Sequence, residues 1–189
     1  MQDILKYTTI VSAIAASSLA AYSILANKRT IYKGFHYAFP PMLHGSYKNI
    51  FSWKVNFNNS AIYDLQNENQ GDINKLIGVR LNAFSNHTNS FRFGWLYNIQ
   101  TQKIDIYAYY YINSNRHYEP LTSIAVNEDL LVTIEFLETG KVKITANEKS
   151  CYVIGQSFNH SLKWFSGFYF GGNEVAPHTI SVNIQPLSV

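Results

Sequence analysis

Apolar and polar residues alternate with a period of two along most of the chain beyond Ile50. Phe51, Trp53, Val55 and Phe57 fall on one side of such a run and Ser52, Lys54 and Asn56 on the other, as in a half-buried strand. Across 76–84, Ile77, Val79, Leu81 and Ala83 alternate with Gly78, Arg80 and Asn82. Phe91, Phe93, Trp95 and Tyr97 then alternate with Arg92, Gly94, Leu96 and Asn98. Residues 99–102 join that run to another over 103–112, which predicts a hairpin. A second hairpin sets Leu130, Val132, Ile134 and Phe136 against Val142, Ile144 and Ala146 across 138–141. Runs at 151–154, 164–170 and 179–184 bring the total to roughly nine strands, while 58–71 reads as a polar loop and 85–89 as a turn. Short strands with turns between them and no βαβ spacing predict an all-β fold, an antiparallel sandwich of jelly-roll type over 50–189.

The N-terminal region has a different pattern. Residues 8–26 carry no charge, and Ile10, Val11, Ile14, Leu19, Ile24 and Leu25 sit among alanines, serines and threonines. A helix of that length rises about 29 Å, close to the ~30 Å hydrocarbon core of a bilayer. The expectation is one N-terminal hydrophobic helix in 1–29 that holds the protein to a lipid bilayer through 8–26. Two other readings stay open, a cleaved export signal and a helix buried against protein. Lys28, Arg29 and Lys33 follow the apolar run, and by the positive-inside tendency this flank opposes simple export. Pro40, Pro41 and Gly45 among aromatics mark 30–49 as a linker.

Composition narrows the function classes. The net charge of +3 is spread along 189 residues, without the concentrated basic face of a nucleic-acid binder. Cys151 is the one cysteine, so no internal disulfide forms and stability must come from packing. The histidines His36, His44, His87, His117, His160 and His178 lie in separate segments without metal-ligand spacing, and no nucleophile or phosphate motif is present. No metal or cofactor is expected, and no catalytic set can be nominated.

Two features stand out as candidate ligand sites. In the run over 103–112, Ile104, Ile106, Ala108, Tyr110 and Ile112 suit a core face, which leaves Tyr107, Tyr109 and Tyr111 as a ladder on the other. Such rings can stack on sugars or on a protein partner. The other feature is the Gly171-Gly172 turn, whose neighbours Asn173, Glu174 and His178 could form a polar site.

The stretch 168–180, with Phe168-Tyr169-Phe170-Gly171-Gly172-Asn173 at its head, enters a family resemblance together with Lys33-Gly34-Phe35-His36-Tyr37, Asp72-Ile73-Asn74-Lys75-Leu76 and Phe93-Gly94-Trp95. These segments resemble concanavalin-like or jelly-roll β-sandwich modules of Bacteroidetes and their phages. Tyr169-Phe170-Gly171-Gly172-Asn173 is also similar to the C-terminal signature of alginate-lyase sandwiches, although the Gln-x-His and Arg-rich strand motifs of those enzymes are missing.

The first expectation for function is a non-catalytic, membrane-tethered structural or attachment protein of a phage virion, with a jelly-roll domain among other structural subunits. The alternative is an exported glycan-binding module of the bacterial cell surface, and the third reading is a polysaccharide lyase or glycosidase.

Overall fold

In a computed structural model, residues 27–42, 44–154, 158 and 160–188 are described. The chain forms β1 (Lys28–Ile31), β2 (Ala38–Phe39), β3 (Gly45–Ser46), β4 (Ile50–Phe57), β5 (Asn74–Asn82), β6 (Ser85–Asn98), β7 (Lys103–Ile112), β8 (Asn115–Ile124), β9 (Asp129–Phe136), β10 (Lys141–Ala146), β11 (Lys149–Ile154), β12 (Lys163–Ser166) and β13 (Ile180–Leu187). Two sheets face each other. One has seven strands in the order β11-β10-β9-β4-β13-β1-β2, the other six in the order β3-β12-β5-β6-β7-β8. The pairings between named strands are antiparallel.

The period-two pattern is what builds this sandwich. Phe51, Trp53, Val55 and Phe57 of β4 meet Phe91, Phe93 and Trp95 of β6 in one apolar core, where Trp53, Trp95, Phe57, Phe91 and Phe93 are among the largest fully buried side chains. Cys151 is buried in the same core as a small apolar residue.

The sequence pattern and the structure differ at several places, among them the run at 164–170, where the strand ends at Ser166. Residues 30–49, read as a linker, carry part of β1 and all of β2 and β3; Ile31 is fully buried, and β1 pairs with β13 inside the seven-stranded sheet. Residues 85–89, read as a turn, open the long strand β6, because β5 and β6 turn at 83–84 instead. Strand β8 escaped notice because residues 115–120 are exposed on a sheet edge, where no core face imposes alternation, and Pro120 is tolerated there. Residues 58–71 contain two short 3-10 turns, Asn59–Ala61 and Glu68–Gly71, each capped by an Asn side chain.

No α-helical element is found among the described residues, and none of their helices is long and apolar enough to cross a membrane. The predicted N-terminal helix and its bilayer run 8–26 lie outside the described residues.

Candidate functional site

Strands β5, β6 and β7 present one row of side chains to the core and the other outward, and β8 lies beside them at the sheet edge. The outward row holds Arg80 on β5, Arg92 on β6, Tyr109 and Tyr111 on β7 and Arg116 on β8. Ladder register brings them together, with Arg92 beside both Gly78 and Tyr109, and Tyr111 beside Arg116. They floor a cleft of about 490 Å³ whose walls come from the segment of Tyr37, Pro40, Pro41 and Met42 and from Tyr169, Gly171, Gly172 and Asn173, with Tyr37 edge-on to Tyr169 at 5.0 Å.

Two backbone features shape the floor. A register shift between Lys75 and Gly78 lets Leu76 and Ile77 both face the core, so Lys75 turns outward despite sharing the sequence parity of Ile77. At Gly78 a Cβ would collide with the Phe91 carbonyl and the Arg92 backbone, so only glycine lets β5 lie this close to β6 beneath Arg92. The wall is fixed in turn by Asn74, whose Oδ1 accepts from the Gly171 amide and whose Nδ2 donates to the Tyr63 hydroxyl at 2.9 Å.

Electrostatically the cleft is one-sided. Arg29, Lys75, Arg80, Arg92 and Arg116 line it, and none of its lining residues is a carboxylate. Arg92 is 5% exposed, its Nε is buried without a hydrogen-bond partner, and no carboxylate pairs with it among the described residues. Its charge meets the faces of Tyr109 at 5.1 Å and Tyr111 at 5.8 Å. Burial pushes the guanidinium down to about 10, with the two tyrosines opposing the shift. Lys75 Nζ lies 5.0 Å from the same Tyr109 ring and 5.8 Å from Tyr169. Burial and then the neighbouring Arg92 push its ammonium down to about 8. The Arg80 Nε and the Asn86 Oδ1 are likewise buried and unpartnered. Arg80 and Arg92 therefore each hold an unpartnered Nε donor and Asn86 an unpartnered amide oxygen, with aromatic rings around them.

No protein-family model matches the sequence, and no curated protein matches it either. Among solved structures, an alginate lyase from Pseudomonas aeruginosa is similar at 10% identity, with a TM-score of 0.50 over 76% of this chain and 67% of that one. An alginate lyase from Alteromonas sp. 272 gives 7% identity and a TM-score of 0.44 over 85% and 77% of the two chains. A carbohydrate-binding module from Bacillus subtilis gives 8% and 0.38 over 75% and 74%. The fold is shared with the jelly-roll sandwiches.

Of the residues nominated from sequence, Tyr109, Tyr111 and Asn173 line the cleft. Tyr107 lies outside it, edge-on to Tyr118 at 6.3 Å. Glu174 Oε1 accepts from Asn69 at 2.8 Å and Asn67 at 3.4 Å, and His178 Nε2 bonds the Ser60 carbonyl at 2.9 Å. These last two tie loops together at a distance from the tyrosine row. Sequence reasoning missed Lys75, Arg80, Arg92 and Arg116. The available signal was an apolar alternation whose outward positions in 80–92 hold two arginines, one of them embedded in Phe91-Arg92-Phe93. Among the described residues no group of His, Cys, Asp and Glu is placed to hold a metal ion.

Proposed function

We propose that this chain is a carbohydrate-binding module that takes an acidic, uronate-bearing polysaccharide into the cleft of the six-stranded sheet. The observation that carries this reading is Arg92, a buried guanidinium at the cleft floor with no carboxylate and no hydrogen-bond acceptor at its Nε. An unpaired buried charge destabilises a fold, so its persistence at the base of an open cleft points to an anion supplied by a ligand. The planar fork of an arginine suits a carboxylate held by two bonds. Asn86 Oδ1 requires a donor, which a sugar hydroxyl offers and a bare anion does not. Tyr111 and Tyr169, both half-buried, supply faces for the apolar side of a pyranose ring. A uronate unit answers all three demands at once. The similarity in fold to alginate lyases is only the setting for this reading.

Binding is favoured over cleavage by a phenol base, while His87 and Lys75 also line the cleft and are tested as bases by the assay for unsaturated sugar ends below. A β-eliminating lyase needs a base next to the anchored carboxylate, and a phenol serving as base must ionise readily. Burial instead holds the Tyr109 and Tyr169 phenols above the usual range, which keeps them protonated. The virion reading draws no specific support from the cleft.

The test is titration of the full chain with oligogalacturonate, oligomannuronate, a neutral glucan oligomer and a sulfated glycan, with parallel monitoring for unsaturated sugar ends. Tight binding of a uronate oligomer without product formation is the expected result. Equal affinity for the neutral glucan would overturn the acidic specificity, and accumulation of unsaturated ends would replace the module with a lyase.

A further inference from the structure

We propose that anion capture in the cleft is coupled to uptake of one proton from solvent at Lys75 Nζ, so that the module binds its ligand more tightly at lower pH. This deepens the acidic-glycan reading and rests on it. Lys75 Nζ and Arg92 Cζ stand 5.0 Å and 5.1 Å from the centre of one Tyr109 ring, two like charges gathered on a single aromatic ring. The hydrogen bond of Lys75 is a long one, to the Gly171 carbonyl at 3.4 Å. The groups that act on it are Arg92 from β6, Tyr109 from β7, Arg116 from β8, Tyr169 from the wall and Asp72 from the segment before β5, the one carboxylate that favours its charge.

An empty cleft relieves this crowding most easily by releasing a proton. The guanidinium groups cannot do so near neutral pH, whereas an ammonium that burial and Arg92 already hold at about 8 can. A bound carboxylate reverses the balance. It replaces lost hydration, offsets Arg92 and accepts from the ammonium, which restores the charged form of Lys75. The sign follows from linkage. The bound state holds more protons than the free state above the free-state value, so affinity falls as pH rises through that value and levels off where the bound-state ammonium also titrates.

Calorimetric titration of the full chain with the tightest uronate oligomer, in two amine buffers of different ionisation enthalpy, reads the protons taken up. The expected result near pH 8 is a net uptake of about half a proton, with affinity falling up to about tenfold between about pH 7 and about pH 9. Lys75→Arg keeps the charge and is expected to bind with neither uptake nor pH slope, and Lys75→Met to bind weakly at both ends of the range. Binding with no proton transfer and a flat profile overturns this inference and leaves the acidic-glycan reading intact, as does a slope that survives in Lys75→Arg. Absence of binding by every uronate oligomer at every pH overturns both.

Discussion

The two sheets turn opposite kinds of outer surface to solvent. On the seven-stranded sheet the polar side chains satisfy one another: Thr30 bonds Ser181 at 2.9 Å, Ser52 bonds Thr133 at 3.0 Å, Thr145 bonds Ser150 at 2.9 Å, and Lys54 pairs with Asp129 at 2.7 Å. On the six-stranded sheet Arg92 and Arg80 have unpartnered Nε atoms and Asn86 an unpartnered oxygen. Both surfaces come from strands with the same alternation, so the difference does not lie in the strand pattern. It lies in what each outward position is matched with across the ladder. Short hydroxyls opposite short hydroxyls close on themselves, while cations opposite glycine and tyrosine leave their charge for a ligand. The closed face supports the fold, and the open face carries a destabilising arrangement that the proposed ligand would relieve.

That contrast can be broken most directly at Arg92. Arg92→Met is expected to weaken uronate binding by 100-fold or more, on the scale of about 3 kcal/mol for a desolvated charge partner. The same variant should unfold at an equal or higher temperature, since it removes an uncompensated buried charge. Loss of stability alongside loss of binding would show that Arg92 is structural. Gly78→Ala tests the floor beneath it. The added methyl meets Phe91 and Arg92 backbone, so a destabilisation of about 1–3 kcal/mol is expected in denaturant unfolding, with weakened binding. Tyr111→Ala should reduce affinity about tenfold by removing a stacking face, whereas Tyr111→Phe should leave binding near that of the parent.

A pH series sharpens the comparison on the unliganded protein. The Lys75 ammonium is depressed to about 8 from the ordinary 10.5, so its contribution to stability is complete above the unfolded value and is lost as pH falls toward 8. Tyr63 and Tyr110, both pushed up to about 12 by burial, act in the opposite sense above their unfolded value near 10, where the unfolded chain ionises first. Thermal unfolding is expected to show a shallow stability maximum between these windows, and Lys75→Met should remove its acid-side slope. The smallest effect belongs to the closed face. Lys54→Gln breaks an exposed pair and should leave both melting temperature and binding unchanged within error.

Much of the fold was legible before any coordinates. The run 51–57, the hairpins around 99–102 and 138–141 and the core face of Ile104, Ile106 and Ala108 all appear as read, because burial of one strand face imposes a period of two on local sequence. The signal failed where that constraint was missing. Strand β8 lies on an edge, and β1 to β3 are too short to show a period, although Ile31 is fully buried.

The site divides along the same line. Tyr109 and Tyr111 could be placed from sequence because they fill the outward positions of a strand whose core face is plain. Lys75 could not, since a bulge reverses its direction and a bulge is a property of the paired strands rather than of either one alone. Glu174 and His178 looked available in sequence, and tertiary contacts with Asn69 and Ser60 occupy both. The amino-acid sequence by itself determined that strands form, which faces they bury and that tyrosines crowd one outward row, because these follow from neighbours along the chain. Only the tertiary structure decided that Arg80, Arg92 and Arg116 converge with Lys75 on one floor without a carboxylate. Charge pairing depends on which strands lie side by side, and residues from 75 to 116 meet only once the sheet has assembled.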